Sequence, residues 1–278
     1  MRYRSVWIIV ALAAAAVCAH AQWFNRPTPG TPRTKDGKPI LSAPAPKASN
    51  GKPDLSGIWQ AEGARFEELV RYVPGGVNGL GEDDPSQYFF NILADFKPED
   101  APLRPEVVAA MRQQAASRPK DPPATLCLPP SVPLADSVPA PYKIVQTRGL
   151  ILMLYEPDTF FRQIFMDSRK LPDDPQPSYL GSSIGRWEGD SLVVESVGFN
   201  DRGVLDAIGH RHSDALRVTE RFHRRDFGHM ELQITVDDPK TFTRPFIFKV
   251  NQRLLPDTDL IESFCSEAEK DAPHMRGQ

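Results

Sequence analysis

The sequence predicts a mainly β protein, an antiparallel meander that closes into a barrel or a sandwich, with one short helix before it. Between Ser183 and Val250, short runs with strand-like alternation follow one another at close spacing. Turn signals separate these runs, among them Glu188-Gly189-Asp190 and Arg225-Asp226-Phe227-Gly228. Short strands joined by tight turns are typical of antiparallel meanders.

Residues 1–21 have the three parts of a secretory signal peptide. Arg2 and Arg4 are the basic region, Val6 to Val17 are apolar, and Ala19-His20-Ala21 matches the A-x-A cleavage site. The apolar stretch is shorter than the roughly 20 residues that span a bilayer. We expect cleavage after Ala21, a periplasmic or secreted protein, and no membrane insertion after cleavage; an uncleaved anchor is the alternative.

The charge balance gives no reason to expect a nucleic-acid partner. The chain has 33 basic and 36 acidic residues, a net charge of −3. A mildly acidic surface of mixed sign lacks the basic patch that binds nucleic acid or an anionic membrane.

Two cysteines of the expected mature chain, Cys127 and Cys265, predict a disulfide, because exported proteins mature in oxidising compartments. A loop of this length predicts a stabilisation of about 4–5 kcal/mol from chain entropy. Two free thiols are the alternative.

The elements before the meander differ in composition. Residues 22–53 are rich in proline and poor in apolar residues, which predicts an extended or disordered linker. Residues 54–278 are then expected to be a single β-rich domain, which opens with a short strand at Asp54–Trp59. Leu103 to Ser117 is predicted to be the helix, since prolines stand at its start and apolar residues recur at helical spacing. Residues 119–141 are a proline-dense connection.

From Tyr142 onward the pattern is that of β strands. Arg148-Gly149 separates two runs as a hairpin turn would, and the run at Leu150–Tyr155 is apolar on both faces, so we expect it to be covered on both sides. Nine or ten strands are expected in all. The predicted strands lie near Ile58, at 142–147, 150–156, 160–166, 183–187, 191–197, 215–224, 229–237 and 243–251, and at 260–264.

Several strings resemble those of a widespread group of exported bacterial proteins without an assigned activity. They are Asp54-Leu-Ser-Gly-Ile-Trp59, Ser183-Ile-Gly-Arg-Trp-Glu-Gly-Asp190 with Leu192-Val-Val-Glu195, Phe161-Arg-Gln-Ile-Phe-Met-Asp167, and Gly198-Phe-Asn-Asp201. The Gly-x-Trp on the first strand is also similar to the opening of lipocalin-like, or calycin, barrels. That similarity implies a barrel with a cup for a small apolar ligand, and it implies no catalytic residue.

Glu220 is the most informative single residue of the meander. Period-2 alternation places Leu216, Val218, Glu220 and Phe222 on one face of a strand. That face is apolar, so Glu220 points inward and needs a partner or a raised pKa. Arg162 stands alone among apolar neighbours and is the expected partner. The pair is either a structural ion pair or part of a ligand-binding or acid/base site.

The segment Asn200–Asp214 is polar and rich in titratable groups. His210-x-His212 has a spacing that metal sites use, with Asp206 or Asp214 as a possible third ligand, but no complementary spacing occurs elsewhere, and we predict no metal. A solvated surface loop is the simplest interpretation. The alternative is a non-metal site in which Asp214 orients His212 as a general base.

No motif of the sequence implies a cofactor. Nucleotide, dinucleotide and zinc-ribbon signatures are absent from the 278 residues, so we expect none. The Gly-x-Ser-x-Gly string around Ser183 is followed by strand and turn residues instead of a helix, so it predicts a strand edge and not a nucleophile elbow.

Two functions of different classes follow. The first is a binding protein that holds a small hydrophobic molecule inside the barrel, with Phe160, Ile164, Trp187 and Phe222 among the contacts. The second is a cofactor-independent lyase, isomerase or hydrolase, in which Glu220, Arg162, His212 and Asp214 transfer protons on a hydrophobic substrate. These four side chains must converge on one point if the second is right.

Overall fold

A computed structural model describes residues 27–69, 85–117 and 128–264. The expected signal peptide, Cys127 and Cys265 lie outside these ranges, so cleavage after Ala21 and the disulfide remain predictions.

Nine strands form one closed barrel, in which each strand pairs with its sequence neighbours and β1 pairs with β9. All pairs are antiparallel except β4 and β5, which run parallel. This confirms the predicted antiparallel barrel of mainly β structure. The strands are β1 Gly57–Ala61, β2 Tyr142–Gln146, β3 Leu150–Tyr155, β4 Phe161–Phe165, β5 Ser182–Glu188, β6 Ser191–Val197, β7 Arg217–Arg224, β8 His229–Asp237 and β9 Phe246–Leu254.

The described helices are short apart from one. Pro105–Ser117 forms the longest, α3, close to the predicted range of 103–117. The others are α1 Phe66–Leu69, α2 Gln87–Phe90 and α4 Leu134–Ser137. No helix within the described ranges is long and apolar enough to cross a membrane.

The barrel has two distinct ends. At the turn end, tight connections follow β2, β5 and β7; at the other end, longer connections follow β1, β3, β6 and β8. The segment with α4 enters from this second end, which we call the plug end. Ser131 to Ser137 are all buried, and Gln252 of β9 donates a hydrogen bond of 2.9 Å to the Asp136 carbonyl.

Period-2 alternation decides which residues fill the interior. On β7, Val218, Glu220 and Phe222 are buried while Arg217 and His223 are exposed, as predicted. β8 and β9 alternate in the same way, and their buried faces form one continuous core with those of the other strands.

Two strand expectations need correction. The run at Leu150–Tyr155 is not covered on both sides: alternate residues are buried, and the others are only partly covered. Residues 260–264 do not form a strand beside the barrel. Ser263 makes only an isolated bridge with Pro157, and Ile261 is 50% exposed.

The proline-rich segment also differs from the expected linker, because residues 27–53 are seated on the barrel. The backbone N–H groups of Phe227 and Gly228 donate to the carbonyls of Ala43 and Leu41, each at 2.7 Å. Arg33 forms an ion pair with Asp257. A segment poor in apolar residues can be ordered in this way because the barrel supplies its partners.

Candidate functional site

Arg162 is the centre of a buried polar network inside the barrel. Its Nη1 donates to Oε1 of Glu220 at 3.0 Å, and its Nη2 donates to Oε2 of the same carboxylate. The guanidinium also donates to the hydroxyls of Ser183 at 3.1 Å and Ser196 at 2.8 Å. The predicted pairing of Arg162 with Glu220 is confirmed, in a bidentate geometry that is typical of the strongest protein ion pairs.

Four adjacent strands supply this network. Arg162 is on β4, Ser183 on β5, Ser196 on β6 and Glu220 on β7, and each stands at an inward position of its strand. All four residues are at most 2% exposed. The buried charges of Arg162 and Glu220 must therefore be balanced by each other and by neighbouring polar groups.

Asp136 of α4 places a second carboxyl group beside Arg162. Its Oδ1 accepts a hydrogen bond of 2.7 Å from the Tyr155 hydroxyl, and its Oδ2 lies 3.6 Å from Nη1 of Arg162. Burial raises the pKa of Asp136 well above its usual value, and the charge of Glu220 raises it further, against a lowering effect of Arg162. The direction of this shift favours the protonated form of Asp136, which can donate to Glu220 and leaves the network neutral.

Three buried polar atoms near this network lack hydrogen-bond partners among the described residues: Asp136 Oδ2, the Tyr142 hydroxyl and Gln252 Oε1. Buried polar groups of folded proteins are nearly always partnered. A proton on Asp136 satisfies the first atom. The other two are groups that a bound water or the polar end of a ligand can satisfy.

A cleft of about 390 Å³ opens at the plug end, between β4 and β5. The two strands pair through only two residues each, and the loosely joined seam leaves this gap in the barrel wall. Arg162 and Ser183 border the cleft, so it adjoins the buried network. Its remaining walls are mostly aromatic and apolar, and include Phe160, Phe161, Phe165, Tyr179 and Leu180.

The four residues predicted to contact a ligand occupy different places. Phe160 borders the cleft and stacks on Tyr155 with ring centroids 4.5 Å apart. Ile164 and Phe222 are buried in the core, where they pack against other side chains. Trp187 is half-buried against the core and does not border the cleft. The structure thus brings only Phe160 to the cleft.

His212 is separate from Asp214 and from the Arg162 network. Its Nδ1 lies 3.0 Å from the carbonyl of Ser213, which can only accept, and its Nε2 lies 3.1 Å from Oγ of Ser131. Burial lowers the pKa of His212. The ring is therefore neutral, with its proton on Nδ1, and Nε2 accepts from the Ser131 hydroxyl.

Asp214 instead lies at the surface, where its carboxylate binds Lys240 at 2.6 Å. The hypothesis that Asp214 orients His212 is wrong, since the backbone carbonyl of Ser213 does so. The four proposed acid/base residues do not converge on one point: Arg162 and Glu220 meet, and His212 and Asp214 stand apart.

The segment 200–214 is not the solvated loop that its polarity suggests. Asp206 and His210 are buried and lie 2.5 Å apart through Oδ2 and Nδ1. Asp206 also accepts hydrogen bonds from the backbone of Ile92, Gly209 and His210, so it holds the loop against the chain at residue 92. No cluster of three metal-ligating side chains occurs in the described ranges.

Sequence reasoning missed Asp136, Tyr155 and Ser196. Asp136 lies in a proline-dense segment without periodicity, so no pattern marked it as inward-facing. Tyr155 and Ser196 lie on predicted strands, and the period-2 rule that identified Glu220 could have placed them on the inner face.

No protein-family model matches the chain, and no curated protein matches it significantly.

Proposed function

We propose that the chain is an exported barrel protein that binds a small hydrophobic molecule with one uncharged polar group, in the cleft between β4 and β5. The observation that carries this proposal is the junction of an aromatic cleft with the buried Arg162 network. Ligand sites are typically apolar concavities with a few fixed polar groups at one side. We therefore propose a ligand site at the barrel wall instead of in an interior cup.

The charge state of the network supports an uncharged ligand. Glu220 already binds the guanidinium of Arg162 in a bidentate way. The hydroxyls of Ser183 and Ser196 accept further hydrogen bonds from the same guanidinium. An anionic ligand would have to compete with Glu220, and a cationic ligand would meet the arginine. A hydroxyl or carbonyl group can exchange hydrogen bonds with Ser183 without either conflict.

A second candidate function, proton transfer on the bound ligand, is favoured by one observation. Asp136 and Glu220 are separated by their environments: burial raises the pKa of Asp136 well above its usual value, whereas Glu220 is paired with Arg162. Pairs of titratable groups separated in this way are typical of acid/base sites. His212 and Asp214 have no part in this version of the enzyme hypothesis.

Phe161 provides the test of the binding proposal. It is 57% exposed on the cleft wall, so Phe161→Ala leaves the core intact. We expect 2-naphthol, a neutral aromatic alcohol whose fluorescence reports its environment, to bind wild type saturably. Phe161→Ala should weaken binding at least about fivefold, since truncating a contact aromatic typically costs more than about 1 kcal/mol.

Ile247→Ala is the matched control. Ile247 is 55% exposed on β9 and does not border the cleft, so its truncation should leave the titration unchanged. Equal effects of the two substitutions, or no saturable binding to wild type, would contradict a site at the β4–β5 seam.

A further inference from the structure

Arg224 is a second buried arginine, and it lacks the carboxylate that Arg162 has. It ends β7 at an inward position of the turn end and is 4% exposed. Three backbone carbonyls accept from its guanidinium, those of Asp54, Asp226 and Phe227. No carboxylate in the described ranges lies within ion-pair distance of it. Arginine has five N–H donors, so three bonds leave two N–H groups, one on each terminal nitrogen.

The nearest carboxylates are already engaged. Asp54 accepts from the backbone N–H of Ser56 at 2.9 Å, and Asp226 accepts from the backbone of Gly228 and His229. Both favour the charged guanidinium from a distance, but burial outweighs them and lowers the pKa of Arg224 to about 10. A single positive charge is thus held in the fold with incomplete compensation.

Aromatic rings hold this guanidinium in place. It lies over the ring of Trp59 at 4.9 Å and near that of Phe227 at 5.2 Å. Trp59 is fully buried and donates from its indole to the Leu55 carbonyl at 2.9 Å, so the platform is rigid. A rigid, stacked guanidinium is the geometry that proteins use to bind carboxylates.

A pocket of about 600 Å³ adjoins Arg224 at the turn end of the barrel. Apolar groups form much of its wall, and three other charged side chains border it, those of Lys143, Asp259 and Asp54. Lys143 binds Asp259 at 2.8 Å, and Asp54 is the remaining acidic residue. The apolar wall includes Pro27, Ile58, Phe227, Leu254 and Pro256.

We propose that this pocket binds a small aliphatic monocarboxylate, with the carboxylate on the free N–H groups of Arg224 and the apolar body against Ile58, Phe227 and Leu254. Arg224 makes no ion pair within the described ranges, and the two N–H groups left on its terminal nitrogens match the two oxygens of one carboxylate. A phosphate dianion would bring a second negative charge close to Asp54, whose carboxylate makes no ion pair within the described ranges. The site is at the opposite end of the barrel from the β4–β5 cleft and is independent of the function proposed for that cleft.

Hexanoate and hexanamide test the proposal, because they share an alkyl chain and differ in charge. Isothermal titration calorimetry of the full mature chain should show saturable binding of hexanoate, at least about tenfold tighter than hexanamide. Amide shifts in ¹⁵N spectra should concentrate at Gly57 and Phe227. No saturable binding of hexanoate, equal affinities for the two probes, or shifts confined to the β4–β5 cleft would overturn the proposal.

Arg224→Met supplies the matched variant, since it keeps the bulk of the side chain and removes the charge. It should abolish the preference for hexanoate while 2-naphthol binding is unchanged. A folded Arg224→Met that keeps the preference would contradict the assignment. If that variant does not fold, Arg224→Lys provides the test, because it keeps the charge and removes the planar guanidinium. An unchanged preference of Arg224→Lys for hexanoate over hexanamide would contradict binding of the carboxylate by the guanidinium.

Discussion

At the scale of the residue, Glu220 is the side chain on which the buried network depends. Glu220→Gln keeps the shape of the side chain and removes the bidentate partner of buried Arg162, which then has only the carboxyl group of Asp136, 3.6 Å from Nη1. Breaking a buried ion pair on one side typically costs about 3–5 kcal/mol. We therefore expect urea denaturation to show a loss of that size in the free energy of unfolding.

Glu188→Gln is the control for this prediction. Glu188 binds two arginines, Arg186 and Arg221, and all three side chains are at least 40% exposed. Removal of exposed ion pairs should cost less than about 1 kcal/mol each. Similar losses for the two variants would show that the Arg162–Glu220 pair does not stabilise the interior as its burial implies.

The raised pKa of Asp136 should make the free energy of unfolding depend on pH with a known sign. Burial raises the pKa of folded Asp136 well above the value of about 3.9 in an unfolded chain. Its contribution to stability is fully present below about pH 3.9 and is lost as the pH rises towards the folded pKa, by about 1.4 kcal/mol per pH unit. Asp136→Asn does not titrate, so the wild-type free energy of unfolding minus that of the variant should fall as the pH rises above about 3.9.

Asp238→Asn is the control for this prediction, because the pKa of Asp238 is shifted in the opposite direction. Burial would raise the pKa of Asp238, but hydrogen bonds from Ser213 and Thr241 lower it overall. The stability that Asp238 contributes is present above about pH 3.9 and is lost only as the pH falls. The free energy of unfolding of wild type minus that of Asp238→Asn should therefore stay constant between about pH 5 and pH 6. A flat difference for Asp136 as well would place its proton elsewhere.

These residues also show how far sequence reasoning reaches. Glu220 could be predicted to point inward because it follows the strict alternation of a strand, and Arg162 because it is the one charge in an apolar run. Asp136 could not, because its inward position depends on how the segment 131–137 enters the barrel. His212 and Asp214 failed for a related reason: closeness in sequence within a loop does not fix which side chains meet.

At the scale of the element, the loop between β6 and β7 is joined to the segment before α4 through Gly203. A Cβ at this position would overlap the Ser131 hydroxyl and would lie 2.6 Å from Nε2 of His212. Gly203→Ala must therefore push the two elements apart. We expect a loss of about 1–3 kcal/mol in stability, typical of overpacking, together with a changed tautomer signal of His212 in ¹⁵N imidazole spectra.

Gly149→Ala is the matched substitution, since nothing lies within 4 Å of a Cβ there. It should leave both the stability and the His212 signal unchanged. A Gly203→Ala protein with wild-type stability and spectra would mean that the loop adapts without contact with the Ser131 segment.

The elements themselves were predictable where local pattern decides them. Strands β6, β7 and β8 follow their predicted ranges closely, because alternation and turn signals agree there. Residues 260–264 and 27–53 were not predictable, because both depend on surfaces that the rest of the chain provides. Apolar residues alone did not make 260–264 a strand, and a shortage of them did not leave 27–53 without partners.

At the scale of the whole molecule, residues 27–53 contact the barrel at the β7–β8 turn. Leu41 packs on Gly228, where a Cβ would lie 2.5 Å from that of Leu41. Removal of residues 22–53 from the chain expected after cleavage, Gln22–Gln278, should lower the melting temperature, since the Arg33–Asp257 ion pair and the backbone bonds to Phe227 and Gly228 are lost. If the segment made no structural contacts, its removal would leave the melting temperature unchanged.

A double-mutant cycle identifies the contact behind that loss. Gly228→Ala should destabilise the mature chain by about 1–3 kcal/mol, because the added methyl group meets Leu41. In the chain that starts at Asp54, Leu41 is absent, and the same substitution should be close to neutral. Residues in contact are expected to be non-additive in this way, whereas independent sites add. Equal effects of Gly228→Ala in both chains would show that the segment stabilises the barrel without resting on the β7–β8 turn.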